Sequence, residues 1–492
     1  MRPRVPAPSS QPLRQRVLLQ QQQHQQQRNF SAQLFPQPPA DPRGKRQEYR
    51  AASTAANNTD WLSWLKRASP LTPHHGTPPR RALILPGLGS YPHTPQSPTP
   101  SSLQVWEQAS EALCTPDATM GYWDDGMEEF AGALLQGGGG HGIRGWLRGW
   151  VEGRSLDELM ARADVTAAFI LSSSIAILAS EQERSGHTSL LPEGTTYLAG
   201  HGFIGTLTAL VATGRLDLPS GIRLARMYAS LPASPPNHPP QRFLTTALSA
   251  RHYHSLSSPA HFVPFEDPLA CEDDEPERRR RVMQLILDEV HSLQREWEVE
   301  GNGEWAEAGI INSSRVLIVT GTYMAVEQLI DRLQTLTIAN PVMDVNMPCP
   351  YHSKLMLHAV PKFADTLQRC TFARPKEGEP IILDPITTRT LCGPPASALL
   401  SQLTQQLRWH KTLARLHTQP SPPVDQFLTV GRGAKGLGVM LRGELKKRPE
   451  NAPPISVEEF GVKEQDVSPT ARRIHSSSRP VRPSNVATYH VK

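Results

Sequence analysis

Two hydrophobic periods alternate along this chain and divide it into blocks. Short apolar runs of strand length fall at 81–85 (RALIL), 197–199, 316–320 and 427–430, most of them followed by glycine or a small polar residue. Such runs read as buried strands. Between them, 165–179, 206–214 and 221–229 carry apolar residues at helical spacing. Alternation of strand and helix predicts a parallel sheet covered by helices. From 241 to 347 the order changes: a strand at 243–250, a helix at 280–297, strands at 305–312 and 316–320, a helix at 324–336 and a strand at 343–347. That is the ferredoxin-like split βαβ order. The chain is therefore expected to be α/β, with a smaller two-layer unit set inside a larger one.

The most informative stretch is 197–214, YLAGHGFIGTLTALVATG. A short strand ends at Ala199, a Gly/His-rich corner follows, and a small-residue helix is expected from near Thr206. This is the strand–turn–helix setting in which a nucleophile elbow presents its reactive side chain. The central residue of such a turn should be Ser, Cys or Asp, which can attack an acyl or phosphoryl group. Here the central position falls on Gly202 or Phe203, and neither can attack.

The segment resembles the Gly-His-Ser-x-Gly-Glu motif of malonyl-CoA:acyl-carrier-protein transacylases, in their mitochondrial, fungal-like form with degenerate active-site motifs. Other pieces are similar in the same order across 81–445. PGLGS at 86–90 resembles the family's Pro-Gly-Gln-Gly-Ser loop, with Leu88 where the family has glutamine. PYHSKLM at 350–356 resembles Pro-Phe-His-Ser-Pro-Leu-Met, which puts His352 on the catalytic histidine. NSS at 312–314 matches an Asn-Ser loop, and QLRW at 406–409 and FLTVGRG at 427–433 are similar to closing segments. The resemblance implies an α/β-hydrolase-like large subdomain (79–240 and 348–445) with the ferredoxin-like subdomain (241–347) inserted. Two alignments of the elbow remain open. One places Gly202 at the serine; the other places Phe203 there, with Thr206 at the glutamate.

The resemblance also implies a chemistry and shows where this chain departs from it. In the family, the histidine takes the serine's proton, backbone donors near Leu88 and the elbow helix hold the oxyanion, and malonyl passes from CoA to the carrier protein's phosphopantetheine thiol. No cofactor is implied; malonyl-CoA enters as substrate and acyl carrier protein as partner. The implied site is His352 with the vacant nucleophile position at Gly202 or Phe203, and Leu88, His201, Tyr228 and Asn312 around the substrate. Tyr228 stands where the family's arginine pairs with the malonyl carboxylate. Arg226 lies about 200° away on the helical wheel, too far round to replace it. Loss of the nucleophile costs on the order of a million-fold in turnover, and loss of a bidentate guanidinium removes recognition of the carboxylate. Cys349, Ser90 and Ser172 to Ser174 are the alternative nucleophiles. They are expected to be a buried thiol, a loop cap and hydroxyls bonded back to their helix. Function is thus read as a malonyltransferase-like protein of mitochondrial fatty-acid synthesis, with a catalytically inactive carrier-binding relative as the alternative.

Composition narrows this further. The net charge of +5 over 492 residues gives no case for nucleic-acid binding. Five scattered cysteines lack zinc spacing and fit a reducing compartment. No run of apolar residues reaches membrane-spanning length, so no span is expected. Residues 1–40 contain five arginines and no acidic residue. With RNFS at 28–31 this reads as a presequence (1–30) directing the chain to the mitochondrial matrix. Residues 31–78 are expected to be a flexible linker holding a short Trp61–Leu65 helix, and 446–492 a disordered tail. GRGAKG at 431–436 is a formal dinucleotide motif with too little chain after it for a βαβ unit. Lys354, Lys362 and Arg369 are candidate contacts for an acidic carrier protein.

Overall fold

Two sheets organise the molecule in the computed structural model. The structure describes residues 78–90, 98–124, 126–236, 241–250, 275–418, 423–446, 448–449 and 451–461. The expected presequence, the linker with its Trp61 helix (apart from Pro78) and the tail beyond 461 lie outside the described residues. The first sheet is parallel throughout, in the order β7-β2-β1-β8-β9. Its strands are β1 (Arg81–Leu85), β2 (Thr195–Gly200), β7 (Ile381–Leu383), β8 (Gln426–Val430) and β9 (Ser456–Phe460). β1 and β2 end in fully buried runs, as strands covered on both faces must. The second sheet is antiparallel, β4-β5-β3-β6, built from β3 (Phe243–Ala250), β4 (Ala306–Ile311), β5 (Val316–Thr322) and β6 (Ala339–Asp344). With its helices Glu275–Glu300 and Tyr323–Thr335 it has the ferredoxin-like order inserted between the two parts of the parallel-sheet subdomain.

The local chemistry explains most element ends. The helix Leu218–Ala229 starts at Asp217, whose carboxylate accepts from Ser220 N at 2.7 Å, with Pro219 in its first turn, where a missing N–H costs nothing. The helix Ala163–Ser185 ends at Gly186 in the left-handed conformation, φ 66°. This helix is 23 residues long, and an 18-residue window within it has a mean hydropathy of 1.6, enough to cross a membrane by length and composition. Its serines mask that in the sequence, but Ser172 and Ser174 donate to the carbonyls of Ala168 and Ile170 at 2.8 and 3.0 Å. Hydroxyls satisfied in this way sit in apolar surroundings at little cost. The helix is buried in the main core against Pro100–Cys114 and Leu218–Ala229.

Four other element boundaries differ from expectation. The elbow helix begins at Gly202, not near Thr206, because the left-handed residue that turns the chain is Gly202 itself. The first small-subdomain helix starts at Glu275 rather than Arg280. β6 starts at Ala339, not Met343, since Pro341 lies on an edge strand, where a missing donor is tolerated. Residues 456–460, placed in the tail by their polarity, add β9 beside β8, an edge position that leaves alternate side chains exposed.

The edge of the antiparallel sheet is met by the short segment 406–408, which leads into the helix Trp409–Thr418. Ile311 N donates to Leu407 O at 2.9 Å and Leu407 N to Gly309 O at 2.8 Å, so this segment pairs with β4. A Cβ on Gly200 would lie 2.1 Å from Gly205 C, which no alanine can accommodate. Gly200→Ala is therefore expected to destabilise the fold by at least about 3 kcal/mol. Gly443→Ala, on an exposed helical position with open space at the Cβ, is expected to stabilise by about 0.5–1 kcal/mol. Guanidinium unfolding of the two variants checks both; a Gly200→Ala variant as stable as the parent would refute the close approach.

Candidate functional site

β1 and β2 run parallel and end side by side, with Leu85 opposite Gly200. Both chains then turn at the same edge of the sheet. After β1 comes the loop 86–90; after β2 comes the elbow. His201 N donates to Leu85 O at 3.0 Å, which stitches the two turns together. A Cβ on Gly87 would lie 2.1 Å from His201 O, so the loop can run here only as glycine. On the other side, Gly205 presses on Gly200 and on Leu85 O. Glycines thus set how closely the elbow helix approaches the sheet.

Gly202 is the residue at the centre of the turn. Its φ of 63° is the left-handed conformation that an elbow imposes on its central residue. A Cβ built on Gly202 would lie 3.9 Å from His352 Nε2 and 3.6 Å from Leu407 Cδ1, both ordinary contacts. A serine at this position would therefore face the histidine at the distance a nucleophile–base pair requires. Phe203 points elsewhere, so the geometry separates the two alignments left open by the sequence. Thr206 Oγ1 donates to Gly202 O at 2.9 Å, and Gln402 Nε2 donates to Thr206 Oγ1 at 3.2 Å. This chain of bonds holds the Gly202 peptide in its turn.

His352 is buried, 2% exposed, with a positive φ of 61°. Its Nδ1 lies 3.2 Å from Gln405 O. A carbonyl only accepts, so Nδ1 carries the proton and Nε2 presents a lone pair toward Gly202. Burial, reinforced by the neighbouring His201 and opposed by the bond to Gln405, pushes the His352 pKa down to about 4. His201 is also buried, its ring edge-on to Trp409 at 5.0 Å between centroids. Its Nε2 donates to Asn312 Oδ1 at 2.8 Å, and burial lowers its pKa. Asn312 lies in the β4–β5 turn, so the small subdomain reaches the elbow through this amide.

The space beside the elbow is filled by rings. Phe203 and Tyr228 stack at 4.0 Å with planes 2° apart, and Tyr228 and Tyr351 stack at 4.2 Å. Tyr351 Oη donates to Tyr228 O at 2.7 Å, and Phe363 closes the cluster 5.5 Å from Phe203. Burial raises the Tyr228 and Tyr351 pKa values well above the ordinary phenol, so both stay neutral. Arg226 points away from this cluster and stacks on Phe130, 4.4 Å from its centroid. Leu88, half-buried, packs against the same core as Phe203. The aromatic cluster beside the elbow is thus uncharged, and Arg226 lies outside it.

The alternative nucleophiles lie in other settings. Cys349 donates its thiol to Leu231 O at 3.0 Å, and burial pushes its pKa up to about 11. Such a thiol is not a thiolate at neutral pH. Ser172 and Ser174 are bonded back to their own helix, and Ser90 closes a turn through its backbone N to Gly87 O at 3.1 Å. The basic side chains expected to greet a carrier protein are each paired. Lys354 lies over the Trp305 ring and 3.5 Å from Glu298, Lys362 is 4.0 Å from Asp124, and Arg369 is 2.6 Å from Asp365. Among the described residues, no three His, Cys, Asp or Glu side chains converge to hold a metal ion. The sequence reading missed Thr206 in its supporting role, Gln402, Gln405 and Tyr351. The quoted motif 406–409 stopped one residue short of Gln405, and nothing in the sequence spacing marks a backbone acceptor.

Two outcomes follow from this geometry. Gly202→Ser is expected to gain labelling by a fluorophosphonate serine probe that leaves the parent chain unmarked, with His352→Asn abolishing the gain. The strained φ should lower stability by about 1–2 kcal/mol; absence of labelling in a folded Gly202→Ser variant would contradict the pairing. The second outcome concerns pH. Unfolded histidine titrates near 6.5, above the folded value of about 4 for His352. Between these values the unfolded chain binds the extra proton, so stability is full above about pH 6.5 and is lost as pH falls toward 4, by up to roughly 3 kcal/mol. Denaturation midpoints between about pH 7 and pH 5 should fall more steeply for the parent than for His352→Asn; equal slopes would show that His352 is not held neutral.

No family model matches the chain and no curated protein matches it. Solved structures do resemble it. A malonyl-CoA:acyl-carrier-protein transacylase from Coxiella burnetii aligns with TM-score 0.50 and 16% identity, over 79% of this chain and 96% of that one. An acyl-carrier-protein S-malonyltransferase from Vibrio cholerae aligns with TM-score 0.51 and 18% identity, over 78% and 97%. A malonyl-transacylase solved in complex with its type II polyketide acyl-carrier protein aligns with TM-score 0.50 and 19% identity, over 78% and 96%. The chain therefore has the two-subdomain fold of these acyltransferases, which it covers almost end to end.

Proposed function

We propose that this chain is a relative of the malonyl-CoA:acyl-carrier-protein transacylases that has stopped transferring acyl groups and works by binding acyl carrier protein in mitochondrial fatty-acid synthesis. One observation carries the reading: the residue with the elbow's left-handed φ, facing His352 Nε2, is Gly202. Without a nucleophile no acyl-enzyme forms, and the ping-pong route has no first half. The buried stack of Phe203, Tyr228 and Tyr351 supports the same reading from the substrate side, since neutral Tyr228 stands where the resemblance would put the arginine that pairs with a malonyl carboxylate. A working malonyltransferase would need another nucleophile, and the side chains of Cys349, Ser172 and Ser174 are each bonded to backbone carbonyls away from His352.

Binding rather than chemistry is supported by what is kept. The fold is shared nearly end to end with structures that include a carrier-protein complex, although the active-site chemistry has gone. The arginine-rich, acid-free residues 1–40 favour the mitochondrial matrix as the place of work.

The test is a pair of measurements on the mature chain. Holo carrier protein should bind saturably, while malonyl transfer from malonyl-CoA stays near the uncatalysed rate, on the order of a million-fold below an intact serine enzyme. Turnover within a hundredfold of such an enzyme would overturn the reading, as would failure of carrier protein to bind.

A further inference from the structure

The helix Leu218–Ala229 carries two arginines away from the elbow, and they are in contrasting states. Arg223 is anchored: its Nε donates to Ala112 O at 3.0 Å and its Nη1 pairs with Asp117. Arg226, one turn later, has no such partner. Its guanidinium lies over the Phe130 ring, 4.4 Å from the centroid, and 5.9 Å from the centroid of Tyr122. Its Nε is buried with no hydrogen-bond acceptor among the described residues. The residue is half-buried, and its two terminal nitrogens make no hydrogen bond or ion pair among the described residues. Arg162, just before the helix Ala163–Ser185, repeats the pattern. Its guanidinium lies 5.4 Å from the same Phe130 centroid, and its Nε is also buried without an acceptor. Its ion pair is with Asp164, at 3.6 Å.

A ring beneath a guanidinium holds it in place but leaves its in-plane N–H groups unsatisfied. With Nε turned inward, the edge formed by Nη1 and Nη2 is left for solvent. That edge is a fork of parallel donors, the geometry that matches two oxygens of a carboxylate or a phosphate. The charges around it do not balance. Arg162, Arg223 and Arg226 surround Phe130 and Tyr122, with Asp117 and Asp164 as their paired acids, an excess of one positive charge. Glu128 and Glu129 share the helix Met127–Gly137 with Phe130, yet pair with neither Arg162 nor Arg226 among the described residues. A carboxylate would bring one negative charge to this field, and a phosphate group about 1.5 to 2 at pH 7. The more highly charged oxyanion gains more from the field. At a half-exposed edge it gives up only part of its hydration in return.

We propose that the outward edge of Arg226, with Arg162 at the same ring, binds a phosphate group, either the free ion or a monoester. Arg226 lies about 200° from Tyr228 around the helix, so this site is on the far side of the helix from the elbow. It is separate from the acyl chemistry and holds whether or not carrier protein binds. Phe130 and Tyr122 already pin the Arg226 guanidinium, so little side-chain freedom is lost on binding. Arg223 is committed to Ala112 O and Asp117 and supplies field rather than contact.

Calorimetric titration of the full chain at constant ionic strength tests this, with inorganic phosphate, glycerol 3-phosphate and acetate as the probes. Phosphate is expected to bind saturably with a Kd on the order of 1 mM, and acetate about tenfold more weakly. Tighter binding of glycerol 3-phosphate than of inorganic phosphate assigns the site to a monoester; the reverse order assigns it to the free ion. Arg226→Met keeps an unbranched apolar stem against Phe130 and Tyr122 but removes the fork, and should weaken phosphate binding by about tenfold or more. Arg226→Lys keeps the charge without the fork and should fall between the two, which preserves the test if Arg226→Met does not fold. Thermal unfolding gives a second readout: phosphate should raise the midpoint of the parent chain saturably and leave that of the variant nearly unmoved. Absence of saturable binding, acetate binding as tightly as phosphate, or phosphate affinity unchanged in both folded variants would overturn the proposal.

Discussion

Everything at this site depends on how closely three stretches of backbone approach one another. Gly200 and Gly205 touch so tightly that a Cβ on either would penetrate the other's backbone, and Gly87 rests against His201 O with the same intolerance. Side chains at these points would push the elbow helix off the sheet and take the Gly202 turn with it. The glycines are expensive in chain entropy, and the parallel sheet with its apolar helices supplies the burial that offsets them. The elbow holds this demanding framework with Gly202, which has no side chain, at its centre.

The second constraint is the segment 402–409, which links the site to both subdomains. Through Leu407 it pairs with β4; through Gln405 O it fixes the tautomer of His352; through Gln402 it steadies the Gly202 turn. Trp409 and Asn312 clamp His201 from the same seam. Polar groups buried so fully are costly unless paired, and these pairs tie the two subdomains to one geometry at the elbow. The aromatic stack then determines what this geometry can admit. Three stacked rings and Phe363 form an apolar filling beside the elbow.

Sequence and structure agree best where local chemistry dominates. The βα alternation and the split βαβ order were legible because strand and helix periods differ and few residues break them. The elbow was legible as a turn because strand, glycine and small-residue helix follow one another within 197–214. Which residue sits at its centre was not, since a single extra residue between Gly200 and Gly205 leaves two registers open, and only the sign of φ at Gly202 separates them. The back-bonding of Ser172 and Ser174 was readable from composition, yet the same serines hid the length of a 23-residue apolar helix. Supports supplied by backbone carbonyls, such as Gln405 O, leave no trace in residue type. β9 was missed because an edge strand buries too little to show an apolar run.

The central claim is that the elbow cannot carry an acyl group. Intact-protein mass spectrometry after incubation of the mature chain with malonyl-CoA tests it most directly, with a serine-containing transacylase treated alongside. The account predicts an unchanged mass for this chain and a stoichiometric malonyl adduct on the control. A stoichiometric adduct on this chain, mapped to one residue and discharged by holo carrier protein, would contradict it.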